Sequence, residues 1–222
     1  MNLEQIAKEI AYASIKIGSI KLSPDAPFTW TTGYNMPIYN DNRKLLSLPE
    51  IRSLIADAFE LIIKQNNIDY DVVAGTSTAG IPHATTLADK LKSPLVYVRS
   101  KAKEHGMGKR VEGDLKESQK VVVIEDLISS GASSVSVVQA LREEGAEVTE
   151  CLAIFSYGFK SSEDLFQSID CKLRTILTFD TILNCALEMS YISEAQKKIL
   201  NEWYFDPFNW GEKHGFPRRN KD

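Results

Sequence analysis

One run constrains this chain more than any other. It reads Val121-Val122-Val123-Ile124, then Glu125-Asp126-Leu127-Ile128, then Ser129-Ser130-Gly131-Ala132-Ser133-Ser134. Four β-branched apolar residues in a row are too few for a helix and suit a strand buried on both faces, as in a parallel sheet. Two acids follow where that strand is expected to end. Small residues and a glycine come next, and Val135, Val138 and Leu141 then fall at helical spacing. The run predicts strand, tight loop and helix, and in open α/β sheets ligands bind beyond the carboxyl ends of the strands.

The loop has a chemistry of its own. Small side chains let backbone N–H groups approach a ligand, and a helix N-terminus adds partial positive charge, so together they favour a phosphate. Ser129, Ser130, Ser133 and Ser134 are expected to add hydroxyl donors. Glu125 and Asp126 would repel a phosphate but can accept hydrogen bonds from sugar hydroxyls. A phosphate beside a diol describes a ribose 5-phosphate. The acids alone could be a solvated pair with a serine-rich cap; the whole run favours the ligand. No Gly-Lys-Ser/Thr follows the glycine and no Gly-x-Gly-x-x-Gly occurs, so neither a Walker loop nor a dinucleotide fingerprint is present.

The remaining chain supports an α/β fold. Leu3 to Ile17 and Leu48 to Asn67 carry apolar stripes of helical period. Asp71 to Gly75, Pro94 to Val98, Val148 to Phe155 and Leu173 to Leu177 read as strands. Helices are expected over Ala79–Leu91, Asp180–Met189 and Ser193–Asn201, with only a short helical turn over Leu165–Ile169. Strands alternating with helices from residue 71 onward predict a parallel sheet flanked by helices. Thr76-Ser77-Thr78-Ala79-Gly80 is a second small-residue loop that opens a helix. Phe28 to Arg43 interleaves aromatics and hydroxyls around Gly33 and Pro37, as either a β-hairpin covering the core or a lid over a flat heterocycle. Arg99 to Lys116 shows no period but gathers Arg99, Lys101, Lys103, His105, Lys109 and Arg110 among glycines, a pattern suited to a mobile basic loop that closes over a polyanion. An aromatic tail, Trp203 to Gly211, should pack on the body or on a partner subunit, with Arg218 to Asp222 frayed.

A net charge of −4 disfavours a general nucleic-acid surface. Cys151, Cys171 and Cys185 are odd in number and widely spaced, which argues against a disulfide frame or zinc site and fits a reducing cytoplasm. Glu4, Lys8 and Glu9 interrupt the N-terminal apolar residues, so no leader is expected, and no apolar run reaches the roughly 20 residues of a membrane span.

The run at Glu125 to Ser133 closely resembles the phosphoribosyl-pyrophosphate (PRPP) motif of type I phosphoribosyltransferases. The ribbon Phe28 to Arg43, with Thr32-Gly33 followed by Pro37-Ile38-Tyr39, and the loop Arg99-Ser100-Lys101-Ala102-Lys103-Glu104-His105-Gly106 resemble elements of the orotate phosphoribosyltransferase family. The resemblance covers roughly residues 18 to 155, with three motifs in family order.

The resemblance implies a type I phosphoribosyltransferase-like parallel sheet in one unit spanning 1–222. That unit has a small N-terminal hood over about 1–45, an α/β core over about 46–190 and a C-terminal helix and tail over 191–222. It implies that Arg99, Lys103 and His105 meet the pyrophosphate of PRPP, with Lys103, His105, Arg99 and Asp126 as catalytic groups. Glu125, Asp126, Leu127, Ile128, Ser129, Ser130, Gly131, Ala132 and Ser133 would hold the ribose and its 5-phosphate, and Thr76 and Ser77 would face pyrophosphate. Ser129, Thr31, Thr32 and Tyr157 would face orotate. It further implies Mg2+ carried mainly by PRPP, with no direct protein ligand, and a homodimer whose basic loop acts in the neighbouring site. Four positions depart from the enterobacterial pattern of the family: Ser100 and Thr31 stand where bases are common, Ala79 replaces a lysine, and Ser156-Tyr157 occupy the place of an arginine directed at the orotate carboxylate. Other nucleobase transferases and a PRPP-sensing regulator that binds RNA remain alternatives on the same fold. A PRPP synthase would need an ATP site, for which no motif occurs.

Overall fold

The computed structural model describes residues 1–101 and 109–219. Helix α1 (Leu3–Lys16) is opened by a capping box: the Asn2 side chain accepts from the Gln5 N–H at 2.9 Å, and the Gln5 side chain accepts from the Asn2 N–H at 3.0 Å. Strand β1 (Ile20–Leu22) follows. The expected ribbon divides into two short ladders: β2 (Phe28–Thr29) pairs with β3 (Asn35–Met36), and β4 (Ile38–Asn40) pairs with β1, all antiparallel. Pro37 separates them, having no N–H to give a ladder. A 3₁₀ turn (Asn42–Ser47) leads to α2 (Pro49–Gln65).

The central sheet is built from β5 (Val72–Thr76), β6 (Leu95–Val98), β7 (Val111–Glu112), β8 (Lys120–Ile128), β9 (Glu147–Ser156) and β10 (Lys172–Leu177). Among the described residues its order is β10-β9-β8-β5-β6-β7, parallel throughout except for β7. Helices α3 (Gly80–Leu91), α4 (Ala132–Glu143) and α5 (Lys160–Ser168) are the crossovers, and α6 (Phe179–Glu188), α7 (Glu194–Phe205) and α8 (Trp210–Lys213) complete the chain. After β5 the chain moves to β6 on one side, then returns to β8 on the other. The crevice between β5 and β8 is therefore a topological switch point.

Alternation along the strands feeds two cores. Val122, Ile124, Leu152 and Ile154 face Ile10, Ile55, Phe59, Leu87 and Trp203. Val121, Val123, Cys151 and Ala153 face Val138, Leu141 and Phe166 on the other side. No helix among the described residues is long and apolar enough to cross a membrane.

Several expectations are corrected. Strand β8 does not stop before the acids: Glu125, Leu127 and Ile128 pair with Ala153, Phe155 and Ser156 of β9, so the ladder carries the acids on strand backbone. The turn expected over 165–169 is the end of the longer helix α5, whose polar first turn has Ser162 donating to the Phe159 carbonyl at 2.7 Å. The basic stretch contains β7, held to β6 by pairing of Tyr97 with Glu112 and Val98 with Val111. As expected, the aromatic tail packs on the body, with Trp203 and Trp210 buried. Arg218 and Arg219 are not frayed: both hydrogen-bond to the ribbon, at Thr32 and Gly33.

Candidate active site

A polar cleft of about 460 Å³ opens at the switch point. Its floor is the acid pair. Glu125 is buried, and its carboxylate accepts from the Thr76 hydroxyl at 2.7 Å, the Ser134 hydroxyl at 2.8 Å and the Asp126 N–H at 3.0 Å. Three strand and helix ends, β5, β8 and α4, are thereby tied to one side chain. Ser134 is fully buried, so this serine serves Glu125 and is not a donor for a phosphate, contrary to expectation. Asp126 is only partly buried and lines the cleft. Its pKa is pushed up to about 7, first by burial, then by hydrogen bonding to Glu125 and by the Glu125 charge.

The N-terminal segment reaches this floor. The fully buried Asn42 donates from its amide to the Asp126 carbonyl at 2.7 Å. Asn42 is a site residue beyond those expected; the polar run Asn40-Asp41-Asn42-Arg43 at the end of the ribbon is its signal. Asp41 and Arg43 also line the cleft and pair at 2.6 Å.

Two small-residue loops flank the acids. Thr76, Ser77, Thr78 and Ala79 line the cleft before α3. A Cβ on Gly80 would lie 2.3 Å from the Thr76 hydroxyl and 2.5 Å from the Ile124 carbonyl, so this helix start can seat against β8 only as glycine. Ser77 donates its N–H to the Val98 carbonyl at 3.0 Å, which leans the loop toward β6. Gly131, with φ +80°, turns the chain from β8 into α4, and Ser133 faces the cleft from the first turn. Leu127 lines the cleft, whereas Ile128 is core and Ser130 and Ala132 are exposed.

The basic residues separate. Arg110 lines the cleft, its guanidinium donating to the Arg99 carbonyl at 3.0 Å and to the Ser136 hydroxyl at 2.9 Å. Arg110 belongs to the basic stretch expected to close over a polyanion, whereas Ser136 is a cleft residue that no motif indicates. The Arg99 guanidinium lies 3.6 Å from Glu112, and Arg99 is not among the residues lining the cleft. Lys103 and His105 lie outside the described residues.

A second cleft of about 240 Å³ adjoins the first, and Asn40 and Leu127 line both. Thr29, Trp30, Thr31, Tyr39, Ser129 and Tyr157 complete it. Tyr157 is buried, its ring centroid 5.0 Å from Trp30 and stacked on Phe159 at 5.4 Å, and burial pushes its hydroxyl pKa well up. The cleft thus brings together Ser129, Thr31 and Tyr157. Thr32 stands apart, its carbonyl taken by Arg218. No lysine or arginine is among the described residues that line this cleft. It is a largely apolar slot with three aromatic residues, Trp30, Tyr39 and Tyr157, beside a polar one.

The phosphoribosyl transferase domain family matches residues 41–185, a span that includes β5, β8 and both small-residue loops, so fold and cleft belong to that class of protein. An orotate phosphoribosyltransferase from Listeria monocytogenes serotype 4b is 47% identical over 93% of this chain and 99% of its own length. One from Cytophaga hutchinsonii is 41% identical over 91% and 97%. A solved orotate phosphoribosyltransferase from Aeropyrum pernix superposes with a TM-score of 0.71 at 29% identity, covering 83% of this chain and 99% of that one. The chain belongs to the orotate phosphoribosyltransferase family.

Proposed function

We propose that the chain transfers the 5-phosphoribosyl group of PRPP to orotate, giving orotidine 5′-monophosphate and pyrophosphate, a step of UMP synthesis. The observation that carries this reading is the 47% identity to an orotate phosphoribosyltransferase along nearly its whole length. The shared edge of the two clefts at Asn40 and Leu127 supports it, because donor and acceptor must meet at the anomeric carbon.

In this mechanism the C1–pyrophosphate bond breaks, positive charge develops on the ribose ring, and the pyrimidine nitrogen forms the new bond to C1. Little covalent chemistry is asked of the protein, so positioning and charge carry the rate. Asp126, ionised, accepts from a ribose hydroxyl and favours the developing cation. Glu125 acts beneath it, holding Thr76, Ser134 and the Asp126 backbone in place. The turn from Leu127 through Ser133 takes the 5-phosphate, and Thr76 and Ser77 face the pyrophosphate. Arg99, Lys103 and His105 close over the leaving group, with Arg110 as a cation already at the cleft. Ser129, Thr31 and Tyr157 serve the orotate side.

Magnesium is a hard cation that keeps water and phosphate oxygens as ligands. No group of three or more His, Cys, Asp or Glu among the described residues could hold a metal ion. The cleft's oxygen donors, Asp126 and Asp41, fit an ion that arrives on PRPP. Bound there it would neutralise charge on the departing pyrophosphate. The proposal includes a single functional unit over 1–222, with hood, core and tail as divided above. It also includes a homodimer with the basic loop in the neighbouring site, and a cytoplasmic setting that the three buried thiols fit.

The test is absorbance at the orotate band with purified protein, orotate, PRPP and magnesium. The reading requires a decrease that needs all three and reverses with pyrophosphate and product nucleotide. Turnover of another base instead would reject the assignment of the aromatic cleft, and PRPP binding without turnover would favour a regulator.

A further inference from the structure

We infer that the C-terminal strap, residues 210–219, is a positioning device for the base side of the site, holding the ribbon that walls the aromatic cleft. The inference rests on the functional reading above. Trp210 is buried, and the Phe216 N–H returns to the Gly211 carbonyl at 2.7 Å, which turns the chain back along the ribbon. The Asn35 amide donates to the Pro217 carbonyl at 2.8 Å and the Phe216 carbonyl at 3.3 Å, while its own oxygen accepts from the Thr29 hydroxyl at 2.8 Å. The Arg219 N–H donates to the Gly33 carbonyl at 2.9 Å. Arg218 donates to the Thr32 carbonyl from Nε at 3.2 Å and Nη2 at 3.0 Å, and its guanidinium carbon sits 4.3 Å from the Tyr34 ring centroid. Each residue from Thr32 to Asn35 therefore touches the strap.

The ribbon needs such help. Its ladder has two residue pairs, Phe28 with Met36 and Thr29 with Asn35, and an isolated hairpin that short has no stability of its own. Yet Thr29, Trp30 and Thr31 on it line the aromatic cleft. The approach is close: a Cβ on Gly33, where φ is +84°, would lie 2.3 Å from the Arg219 carbonyl. Arg218 is suited to the contact because its planar fork can bond one carbonyl twice while its face lies on an aromatic ring. The polar cleft, built on β5 and β8, makes none of these contacts. Loosening the strap should therefore weaken capture of the base and leave capture of PRPP unchanged.

The experiment is steady-state kinetics on the full chain carrying Arg218→Ala, Arg218→Lys or Gly33→Ala, varying orotate and PRPP separately. Arg218→Ala is expected to raise KM for orotate about tenfold, equivalent to about 1.4 kcal/mol, with KM for PRPP within about twofold by the same arithmetic. Arg218→Lys, which keeps a charge and one donor but loses the planar fork, should recover only part of the loss. Gly33→Ala should reproduce the orotate effect, and the double variant should fall short of the sum because both act through one contact. An unchanged KM for orotate in folded Arg218→Ala and Gly33→Ala proteins, or equal rises for both substrates, would overturn the inference. Wild-type protein inactive on orotate would overturn the functional reading and this inference with it, and the wild-type assay alone identifies that case.

Discussion

Glu125 and Asp126 are neighbours with different tasks. Glu125 is enclosed by donors, while Asp126 faces the cleft with its pKa raised to about 7. The unfolded carboxyl titrates near 3.9, so between about pH 4 and pH 7 the folded state binds more protons than the unfolded one. The Asp126 contribution to stability is thus fully present at low pH and lost as pH rises through about 7. Relative to Asp126→Asn, the ligand-free wild type should lose thermal stability across that window, as melting at a series of pH values would report. Since the ionised form accepts from ribose, kcat/KM for PRPP should fall as pH drops below about 7 in the wild type and lose this limb in the variant. His83 has the opposite sign. Burial, aided by Arg52, lowers its pKa to about 4, so its contribution is present above about 6.5 and lost as pH falls toward 4. His83→Gln should flatten the acid side of the stability profile. Lys103→Ala should leave melting unchanged and reduce kcat about ten- to hundred-fold, the effect of one lost charge-assisted contact; wild-type turnover in that protein would remove Lys103 from the mechanism.

At the level of elements, the start of α3 is the tightest joint in the polar cleft. Gly80→Ala should push α3 away from β8, break the Thr76–Glu125 bond and cost about 1–3 kcal/mol, measurable as a lower urea midpoint. It should also weaken PRPP binding, whereas an overpacked core site remote from the cleft would not. Elements with strong periodicity were legible before the fold was known: the stripes of α1 and α2 and the apolar run of β8 announce themselves through local spacing. The extension of β8 past its acids was not, because it depends on pairing with β9, some thirty residues away. Helix α5 was understated because its first turn, Lys160-Ser161-Ser162-Glu163, presents little apolar pattern. In the site, the motif Glu125 to Ser133 was visible as chemistry, but the diversion of Ser134 to Glu125 was not, since four similar serines differ only in the direction each faces. Ser136 enters through long-range packing that residue type does not reveal, and Asn42 is marked only by the polar run around it.

For the whole molecule, the proposed assembly predicts complementation. If the basic loop serves the neighbouring site, an impaired Lys103→Ala protein mixed with an impaired Asp126→Asn protein should rise above the mean activity of the two after subunit exchange. With random exchange in a two-fold dimer, one intact site in each hybrid gives up to about a quarter of wild-type activity. No recovery after verified exchange would place the loop in its own site. The strap also imposes an order on synthesis. Asn35 must wait for Pro217, 182 positions later, before its amide finds its partner. At about 5–20 residues per second the ribbon waits on the order of 10–40 s on the ribosome. Strands β5 and β8 emerge well before that, so a nascent chain gains the makings of a berth for the phosphoribosyl donor first, and grasp of the acceptor base is the last property it acquires.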